Sequence, residues 1–503
     1  MGEVKKLSYF VNGQFLESKT QKYTDCYNPS TGEVIARAPC CTREEVESAI
    51  AAAKAAYPAW SATPVLKRVH ILYRVRDLLE KNLDELTLLV AKENGKTWTE
   101  AEGDVLKAKE GTEQAIAAPS LMMGESLMDT SSGYDTVLYR EPLGVFAGIV
   151  PFNFPAMIPF GWMAPICIAT GNTFVIKAAT MTPQSALRIA EIYKEAGLPD
   201  GVVNVLTCSR TEAELFLSHP DVRGITFVGS TEIGQHVYKA AAANGKRVQA
   251  LCEAKNHALV LEDAPLVRTA AGIINSAFGC AGERCMALPV IVVQESIADA
   301  LVEELVKQAK VLKVGPAYEK DTKLGPVVTQ AHKDGVLAWI EKGLAEGARL
   351  AMDGRSVTVS GYEKGFYLGP TILDGVKPGM TVGDREIFGP VLCVKRVDGF
   401  EEGLALINAN PYANGSVIFT QNGYYAREFA RKTHGGMVGI NVGIPVPVGM
   451  FPFAGHKLSF FGDLHCLGKD GYRFYTESKA VTSHWFTEAE KKSNRVSTWD
   501  GTI

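Results

Sequence analysis

The sequence predicts an α/β protein built from two subdomains, and two alternating stretches together with the chain length lead to this prediction. Short β-rich runs alternate with helical segments between residues 144 and 250, and a similar alternation returns between residues 258 and 406. Strands that alternate with helices are typical of parallel sheets covered by helices. At 503 residues, the chain also exceeds the length that one hydrophobic core usually supports. Two α/β subdomains are therefore expected.

Two amphipathic helices are predicted ahead of the first alternating stretch. Thr42 and Glu45 have the spacing of a capping box, and the Ala-rich residues after them extend a helix to Tyr57. A second helical pattern runs from about residue 65 to residue 93 and stops at Gly95. Both patterns indicate amphipathic helices packed at the surface.

The alternating stretches supply the predicted sheets. Strands of the first stretch are expected at 145–150, 173–177, 202–206 and 224–228. Helical periodicity over 183–196 separates two of them, and in the second stretch a strand over 289–293 precedes a helix over 297–310. The Gly/Pro-rich residues 435–455 and the tail over 472–485 match neither rhythm, so we assign them to connections and an oligomerisation arm.

Composition and charge narrow the classes of function. Hydrophobic residues make up 46% and charged residues 21% of the chain, as in an ordinary globular protein. The net charge of -4 gives no general attraction to polyanions, so nucleic acid is not an expected partner. No apolar run reaches the length that crosses a bilayer, and the first six residues, MGEVKK, lack the features of a secretory signal. We expect a cytoplasmic protein without a membrane partner.

The ten cysteines and nine histidines argue against a disulfide framework and a metal site. The cysteines are scattered without CxxC pairs, which fits a reducing compartment where any of them could be a free reactive thiol. The histidines show no HExxH spacing, so no catalytic metal is expected.

The segment 278–286, which reads FGCAGERCM, is the most informative part of the chain. Small residues beside a cysteine let a bulky ligand approach closely, so the thiol of Cys285 is a candidate nucleophile. A free cysteine is more often an inert core residue, and that interpretation applies to Cys280 and Cys285 when the segment is considered alone. Motifs elsewhere in the chain favour a nucleophilic role for Cys285 over an inert one.

Five separated motifs carry a resemblance to a known family. They are GxxC at 282–285, PFNFP at 151–155, Lys177 after a β-rich run, FVGS at 227–230 and EIFGP at 386–390. Together they resemble the aldehyde dehydrogenase superfamily, and the resemblance covers essentially the whole chain.

The resemblance implies the aldehyde dehydrogenase fold, with a Rossmann-like cofactor domain, an α/β catalytic domain and a β oligomerisation arm. The NAD(P)-binding domain is expected over 1–122 and 143–250, and the catalytic domain over 251–455. The arm is expected over 123–142 and 472–503. An arm of this kind implies a homodimer or homotetramer.

The resemblance also assigns roles to individual side chains. Cys285 is the nucleophile that adds to the aldehyde and carries a thioester once a hydride has left for the nicotinamide. Asn153 stabilises the oxyanion together with the backbone N–H of Cys285, and a turn cap is its alternative role. The residues implied to bind NAD(P) are Phe152, Lys177, Ser230, Cys252, Glu386 and Phe388. For Glu386 the alternative is a solvated loop position.

Local patterns agree with two of these roles. Lys177 follows the apolar run 173–176, so it belongs at the carboxyl edge of a strand, where open α/β sheets bind ligands. Ser230 lies between a strand and a helix, where backbone N–H groups can meet a pyrophosphate. The chain has no GxGxxG motif, and the family does not use one.

Leu251 favours a particular branch of the superfamily. Hydrolytic members carry a Glu in an ELGGK segment, which activates water against the thioester, whereas this chain reads LCEAK. Because Leu251 cannot accept a proton, coenzyme A becomes the expected acyl acceptor. The segments AKNH at 254–257, RCMAL at 284–288, SLMMGE at 120–125 and IPVP at 444–447 resemble the CoA-acylating methylmalonate-semialdehyde dehydrogenases.

In that branch an Arg before the nucleophile holds the substrate carboxylate, so the resemblance gives this role to Arg284. A structural salt bridge is the alternative role of Arg284. Lys107 stands where the branch has a second carboxylate-binding Arg, and a point charge replaces a planar fork there.

Further departures concern the cofactor and the base. Thr180 and Met181 replace a Glu-Arg pair, so a carboxylate that contacts the adenosine ribose is missing and NADP joins NAD as a possible cofactor. Glu253 replaces a Gly and Glu283 replaces a Gln, and either carboxylate could activate water.

The leading prediction is NAD(P)-dependent oxidation of a short acidic semialdehyde, such as malonate or methylmalonate semialdehyde, with acyl transfer to CoA. The alternative is a CoA-independent dehydrogenase that releases a free carboxylic acid from another small aldehyde. A non-catalytic descendant of the fold is disfavoured because Cys285, Asn153 and Glu386 are all present.

Overall fold

The computed structural model describes residues 4–493. Its α-helices are, in chain order, α1 (Arg43–Ala62), α2 (Val65–Lys81), α3 (Leu83–Asn94), α4 (Trp98–Ala115), α5 (Ala118–Leu121), α6 (Ala164–Ala169), α7 (Gln184–Glu195), α8 (Arg210–Ser218), α9 (Thr231–Ala243), α10 (Leu266–Phe278), α11 (Glu295–Lys310), α12 (Gln330–Ala345), α13 (Thr381–Asp384), α14 (Phe400–Ala409), α15 (Gly423–Lys432) and α16 (Gly468–Phe474). A π-helix spans Ile158–Met163, and 3-10 turns span Gly279–Gly282 and Glu490–Lys492.

The strands form two large sheets and three smaller ones. In chain order they are β1 (Tyr9–Val11), β2 (Gln14–Leu16), β3 (Tyr23–Asn28), β4 (Glu33–Pro39), β5 (Ser126–Ser131), β6 (Tyr134–Pro142), β7 (Val145–Ile149), β8 (Thr173–Lys177), β9 (Val203–Leu206), β10 (Val222–Val228), β11 (Arg247–Leu251), β12 (His257–Val260), β13 (Val290–Gln294), β14 (Arg349–Met352), β15 (Thr371–Asp374), β16 (Val391–Val397), β17 (Tyr412–Ala413), β18 (Gly415–Phe419), β19 (Met437–Ile440), β20 (His456–Lys457), β21 (Phe460–Gly462) and β22 (Thr476–His484).

The first large sheet has the order β2-β1-β9-β8-β7-β10-β11-β21, and its five central strands are parallel. The chain runs outward from β7 through β8 and β9, and then returns to β10 on the other side of β7. Open α/β sheets bind ligands outside the carboxyl ends of the strands at such a reversal. The ends of β7 and β10 are therefore the expected ligand edge of this sheet.

The second large sheet has the order β14-β15-β16-β13-β12-β18-β19 and is parallel except for the antiparallel edge strand β14. Its β12, β13, β16 and β18 are almost completely buried, as strands covered by helices on both faces are. The two α/β layers predicted from the sequence are therefore observed.

Each large sheet is covered on both faces. One core of the first sheet packs side chains of α2, α3, α4, α6 and α7, and the other packs α1, α8 and α9. In the second sheet α12, α14 and α15 cover one face, while α10 and α11 cover the other. Burial of these apolar side chains is the main stabilising contribution to the two layers.

A three-stranded antiparallel sheet with the order β22-β6-β5 forms a separate arm. Nearly all side chains of β5 are exposed, and most of those on β22 are as well. The predicted arm segment 123–142 contains β5 and β6. Residues 494–503 of the predicted arm lie outside the described part of the chain, as do residues 1–3.

Three sequence-based boundaries differ from the structure. The helical pattern over 65–93 is two helices, α2 and α3, because Asn82 takes a non-helical conformation between them. The segment 435–455 contains the short edge strand β19, whose length gives little periodic signal. The tail does not join the arm at residue 472, because Tyr472 is buried within α16 and the arm strand begins at Thr476.

Candidate active site

The loop that carries Cys285 follows α10 and turns sharply before this cysteine. Cys280 and Ala281 both take left-handed conformations, with φ values of 52° and 51°, which side chains with a Cβ rarely adopt. Gly282 has a φ of 75°, and a Cβ on it would lie 2.1 Å from the carbonyl oxygen of Gly389. Glycine at position 282 therefore lets this loop pack directly on the segment that carries Glu386 and Phe388.

The Cys285 thiol is protonated at neutral pH in the absence of ligands. Its surroundings bury the sulfur and, with the nearby Glu386 carboxylate, raise the pKa of the thiol to about 12. The backbone N–H groups of Cys285 and Met286 act in the opposite direction, since they stabilise negative charge at this position. The loop thus presents N–H donors to a sulfur anion or an adjacent oxyanion.

Asn153 lies next to this loop, as the oxyanion role requires. Its Nδ2 donates to the backbone carbonyl of Glu283 over 3.0 Å, which leaves one amide hydrogen of Asn153 available. The Oδ1 atom of Asn153 is buried and has no hydrogen-bond partner among the described residues. The Asn153 side chain is held by its hydrogen bond to Glu283, and its second amide hydrogen can donate to a group near the Cys285 loop.

Hydrogen bonds from neighbouring side chains fix the PFNFP turn that carries Asn153. Asn94 Nδ2 and Thr182 Oγ1 both donate to the carbonyl oxygen of Phe152, over 2.9 Å and 3.1 Å. Asp104 Oδ1 accepts the Met157 N–H over 2.7 Å. These bonds hold the turn at the carboxyl end of β7.

A buried ion pair supports the same turn. Lys96 and Asp104 are paired over 2.7 Å with almost no exposure, and the Lys96 ammonium lies 3.5 Å from the ring centre of Phe154. A buried pair that also meets an aromatic face fixes its neighbours, because either charge alone would be costly there.

Two phenyl rings border the side of the site where the sequence resemblance implies the cofactor. Phe152 and Phe388 meet edge to face with ring centres 5.9 Å apart. Phe388 has a positive φ of 60°, and its carbonyl oxygen is hydrogen-bonded by His332 Nε2 over 2.7 Å. The His332 contact fixes the strained loop in place.

Lys177 is the last residue of β8, at the ligand edge of the first sheet. Burial lowers the pKa of its ammonium, and among residues 4–493 this ammonium has no hydrogen-bond or ion-pair partner. An unpaired cation at this edge is free to meet ligand hydroxyls. Thr180 lies three residues further on, and its carbonyl accepts the Cys26 thiol over 3.3 Å.

Ser230 is the N-cap residue of α9, but the helix N-terminus is not open as the sequence suggested. Glu253 Oε2 accepts the backbone N–H of Thr231 over 3.1 Å. This N–H is one of the donors expected to meet a pyrophosphate. Cys252 packs close by, since a Cβ on Gly234 would lie 2.2 Å from its sulfur.

Glu386 faces the same region from the second subdomain. Its Oε1 accepts the backbone N–H of Ala254 over 3.2 Å. Burial, together with repulsion from Glu253, raises the pKa of the Glu386 carboxyl to about 8. The structure thus brings the implied cofactor residues to the edge between the two subdomains.

A cavity of about 300 Å³ opens on the other side of Cys285. Arg284 and Lys107 line it together with Cys285. The guanidinium of Arg284 donates to the carbonyl oxygens of Asn275 and Gly279, over 2.7 Å and 3.2 Å, and has no carboxylate partner. Arg284 is therefore not in a structural salt bridge within the described chain, and its remaining donors are available.

The Lys107 ammonium is already paired with a carboxylate, which weakens it as a ligand for a substrate carboxylate. The ammonium is 2.5 Å from Glu110 Oε2, and the side chain is 52% exposed. Glu110 was not predicted as a site residue, although the i,i+3 spacing on α4 is a recognised signal for such a pair. Glu100 was missed as well: it lines the cavity and accepts the Cys280 N–H over 2.6 Å.

Apolar side chains close the cavity. Trp162 and Phe453 pack with ring centres 4.6 Å apart, and Met157, Phe154 and Met286 add further apolar surface. These residues come from distant parts of the chain, so no local pattern could have identified them. The cavity has room for a small aldehyde next to the sulfur.

Three residues bear on how a thioester could be released. Leu251 is buried at the end of β11 and has no proton-accepting atom. Glu283 turns toward Val328, whose N–H it accepts over 3.1 Å, and lies 3.4 Å from His332. Burial raises the pKa of the Glu283 carboxyl well above its usual range. With Glu253 bonded to α9, both substitute bases are engaged elsewhere.

Residues 4–493 contain neither a metal-binding cluster nor a membrane-spanning helix. No cluster of three or more His, Cys, Asp or Glu side chains there has a metal-binding arrangement. No helix in this part of the chain combines the length and apolar character of a membrane span.

The chain is similar to known proteins over nearly its whole length. A model of the aldehyde dehydrogenase family matches residues 15–481. The chain is 48% identical to malonate-semialdehyde dehydrogenase 2 of Geobacillus kaustophilus (strain HTA426) over 482 residues, which cover 96% of this chain and 99% of the relative.

Two solved structures are similar over nearly the whole chain. Methylmalonate-semialdehyde dehydrogenase from Oceanimonas doudoroffii superposes with a TM-score of 0.95 at 41% identity, covering 97% of this chain and 100% of the other. The second structure is a complex with NAD of a Sinorhizobium meliloti 1021 protein, which is provisionally named methylmalonate-semialdehyde dehydrogenase. It superposes with a TM-score of 0.95 at 39% identity. That match covers 97% of this chain and 99% of the other.

Proposed function

Because the chain belongs to the aldehyde dehydrogenase family, we propose that it oxidises a short acidic semialdehyde with NAD and transfers the acyl group to CoA. The substrates that we favour are malonate and methylmalonate semialdehyde, which appear in the names of its relatives. One observation carries the proposal: Cys285, Arg284 and Lys107 line one small cavity. A thiol nucleophile and cationic groups in one cavity suit an aldehyde that carries a carboxylate.

The first chemical step belongs to Cys285. Its thiol gives its proton to solvent water, and the sulfur electron pair forms a bond to the aldehyde carbon, while the C=O π electrons move to the oxygen as an alkoxide. The free amide hydrogen of Asn153 and the backbone N–H of Cys285 stabilise this oxyanion. Arg284 holds the carboxylate end of the substrate, so the aldehyde carbon stays near the sulfur.

The residues between the edge of the first sheet and the second subdomain fit NAD. Lys177 offers an unpaired ammonium, Glu386 offers a buried carboxyl for ribose hydroxyls, and Phe152 with Phe388 borders the ring. Ser230 and Cys252 would border the phosphates and the adjoining ribose. The chemistry that bound NAD supplies is acceptance of a hydride, with its two electrons, from the substrate carbon.

The acyl thioester on Cys285 then needs an acceptor. The CoA thiol loses its proton and attacks the acyl carbon, and the Cys285 thiolate leaves and regains a proton. Leu251 supports this route because it cannot deprotonate water. Glu253 and Glu283 would be the bases of the alternative, CoA-independent reaction that releases a free acid. Their hydrogen bonds to Thr231 and Val328 weigh against that alternative.

NADP is proposed as a weaker second cofactor. Thr180 has no charge with which to repel a 2′-phosphate near Lys177, so discrimination against NADP should be smaller than in relatives that carry Glu there. Titration of both cofactors into the free enzyme tests this. A preference for NAD of several thousandfold would show that other residues select the cofactor.

The arm supports a homodimer or homotetramer, and we propose a cytoplasmic location. Leu127, Met128 and Trp485 on or beside the arm are 61%, 78% and 82% exposed, which is costly unless another surface covers them. All ten cysteines are free, as in proteins of reducing compartments. Light scattering after size exclusion, with Met128→Lys as a variant, measures the assembly.

Rapid mixing without CoA tests the acyl acceptor. We expect a burst of NADH equal to the number of active sites and then slow turnover, because the thioester lacks an efficient exit. Adding CoA should restore steady turnover and yield an acyl-CoA. Equal steady rates without CoA, with a free acid as product, would overturn the CoA route and make Glu253→Gln and Glu283→Gln the next variants.

A further inference from the structure

The cavity beside Cys285 is larger than the smallest of the proposed substrates. Its volume is about 300 Å³. At about 30 Å³ for each non-hydrogen atom, which is the volume of a water molecule in the liquid, malonate semialdehyde occupies about 180 Å³. The remaining volume, about 120 Å³, has room for roughly four more non-hydrogen atoms.

The reacting groups determine where this remaining volume lies relative to the substrate. Arg284 and Cys285 are neighbours in one loop, and both line the cavity. The proposed reaction places the substrate carboxylate on Arg284 and the aldehyde carbon on Cys285. The carbon between these two groups, C2, is then the position that can carry a further substituent. Because both ends of the substrate are held at the loop, a C2 substituent points away from the loop toward the opposite walls.

The opposite walls are apolar. Met157, Trp162, Phe453 and Leu467 line the cavity, and all four side chains are buried. A hydrocarbon substituent that packs against them leaves water, which should tighten binding by about fourfold for each methylene group. The walls therefore favour a substrate with an alkyl group on C2.

Two glycines hold these walls in place. A Cβ on Gly111 of α4 would lie 2.1 Å from the carbonyl oxygen of Gly161, so α4 and the π-helix touch through their backbones. This contact fixes the segment that carries Met157 and Trp162 against α4. The apolar space is thus formed before the substrate binds, and little ordering is needed to fill it.

Polar groups at the buried end of the cavity are already bonded within the protein. Glu100 accepts the N–H groups of Cys280 and Thr97, over 2.6 Å and 3.1 Å. Asp104 is paired with Lys96 over 2.7 Å. A polar substituent on C2 would lose its water here without meeting a free partner among these groups, which disfavours its binding.

We propose that the enzyme oxidises malonate semialdehydes that carry an alkyl group larger than methyl on C2, with propyl and isobutyl as examples. This substrate class rests on the proposed oxidation of acidic semialdehydes. The carboxylate stays on Arg284 and the aldehyde carbon on Cys285, while the alkyl group packs against Trp162 and Phe453. The apolar walls then select the substrate by the size and polarity of its C2 substituent.

A series of substrates tests the proposal on the unmodified enzyme. NADH formation with NAD and CoA is measured for malonate semialdehyde and for its methyl, ethyl, propyl and isobutyl derivatives at C2. We expect kcat/KM to rise by up to about fourfold for each added carbon. The carbamoylmethyl derivative has the shape of the isobutyl derivative but is polar, so its kcat/KM should be at least about tenfold lower.

The same series distinguishes the alkyl preference from the proposed function. If kcat/KM for the isobutyl derivative is no higher than for the methyl derivative, the alkyl preference is overturned, while oxidation of malonate semialdehyde still supports the proposed function. Equal kcat/KM for the isobutyl and carbamoylmethyl derivatives also overturns the preference. If no member of the series is oxidised, the proposed function and this substrate class both fail.

Two matched variants locate the alkyl group. Val446 and Val448 are both exposed residues of one segment, but Val446 lines the cavity and Val448 does not. Val446→Phe should lower the ratio of kcat/KM for the isobutyl derivative to kcat/KM for malonate semialdehyde at least about tenfold, because the phenyl ring takes up part of the remaining volume. Val448→Phe should leave this ratio within about twofold of the wild type. The proposal is overturned if Val446→Phe leaves the ratio unchanged, or if Val448→Phe lowers it equally.

Discussion

The two sides of Cys285 are built by different parts of the fold. On the cofactor side, Phe152, Lys177 and Ser230 follow the ends of parallel strands, where open sheets place ligands regardless of side-chain detail. On the substrate side, Arg284 and Lys107 come from a loop and from α4, and the charges of their neighbours decide what they can do. Backbone topology therefore sets the first side, and local charge pairing sets the second.

On each side, a carboxylate contacts a group that the proposed function assigns to a ligand. Glu253 occupies the Thr231 N–H at the start of α9, where a pyrophosphate would bind. Glu110 pairs with the Lys107 ammonium, which would otherwise meet a substrate carboxylate. Substitutions that change one group at a time can separate the two sides.

Removing the sulfur should separate chemistry from cofactor binding most strongly. Cys285→Ala is expected to lower aldehyde oxidation by at least about 10⁴-fold, because the covalent step is lost. The NAD dissociation constant should change less than about twofold, since the cofactor side does not depend on the thiol. Cys280→Ala, at the same cavity, is the control and should retain activity. Turnover by Cys285→Ala would remove the sulfur from the mechanism.

The pH dependence of thiol reactivity tests the environment shared by the two sides. Because the pKa of Cys285 is raised to about 12, the thiolate fraction should grow about tenfold per pH unit, and about a thousandfold between pH 7 and 10. The rate of alkylation of Cys285 by iodoacetamide in the ligand-free enzyme, followed by peptide mass spectrometry, measures this. Glu386→Gln should speed alkylation at pH 8, since it removes a repelling carboxylate. A plateau below pH 8 would contradict the raised pKa.

Asn153→Ala should cost about a hundredfold in kcat, the usual loss of one oxyanion donor. One amide hydrogen of Asn153 is bonded to the Glu283 carbonyl, and the substitution removes the other, which is free to stabilise the oxyanion. Single-turnover NADH formation measures the chemical step. Thr182→Val removes a bond behind the same turn without touching the oxyanion, and it should have a much smaller effect. A loss of less than a few-fold in Asn153→Ala would return this residue to a turn-capping role.

These comparisons also show what the sequence could and could not predict. The strands ending at Ile149 and Lys177, and the residues just after them, follow from apolar runs and motifs, so the cofactor edge was predictable. The contact of Glu253 with Thr231 joins residues 22 positions apart through two packed elements, and no periodicity reports such a contact. The short strand β19 was missed for a related reason, because its four residues alternate too briefly to give a signal.

The substrate side can be tested with acidic and neutral aldehydes of similar size. Arg284→Ala should lower kcat/KM for malonate semialdehyde about thirtyfold more than for propanal, because the guanidinium meets the carboxylate. Lys107→Ala should change the ratio of kcat/KM for malonate semialdehyde to kcat/KM for propanal less than about fivefold, since Lys107 is exposed and already paired. Glu110→Gln should raise the ratio by freeing Lys107. Equal effects of Arg284→Ala on both aldehydes would give this residue a structural role.

The smallest expected effect is on the cofactor side, at Glu253. Replacing it with Gly should raise NAD affinity about five- to tenfold at neutral pH, because the Thr231 N–H becomes free for the pyrophosphate and a repelling carboxylate disappears. Glu386 should respond as well. Its pKa is raised to about 8 partly by Glu253, so in the wild type it ionises, and accepts ribose hydroxyls fully, above that pH. In Glu253→Gly the rise of NAD affinity with pH should therefore shift to lower pH.

Calorimetric titrations of NAD between pH 6.5 and 9 measure both effects at Glu253. Glu232→Gln is the control, because Glu232 lies in the same first turn of α9 and is exposed. It removes an equal charge from the same helix end without freeing the Thr231 N–H. If the two variants bind NAD equally well, general electrostatics at the helix explains the gain. If Glu253→Gly binds NAD no better than the wild type, the Glu253 carboxylate does not compete with the cofactor. The contact of Glu253 with Thr231 would then have no counterpart to the effect of Glu110 on Lys107.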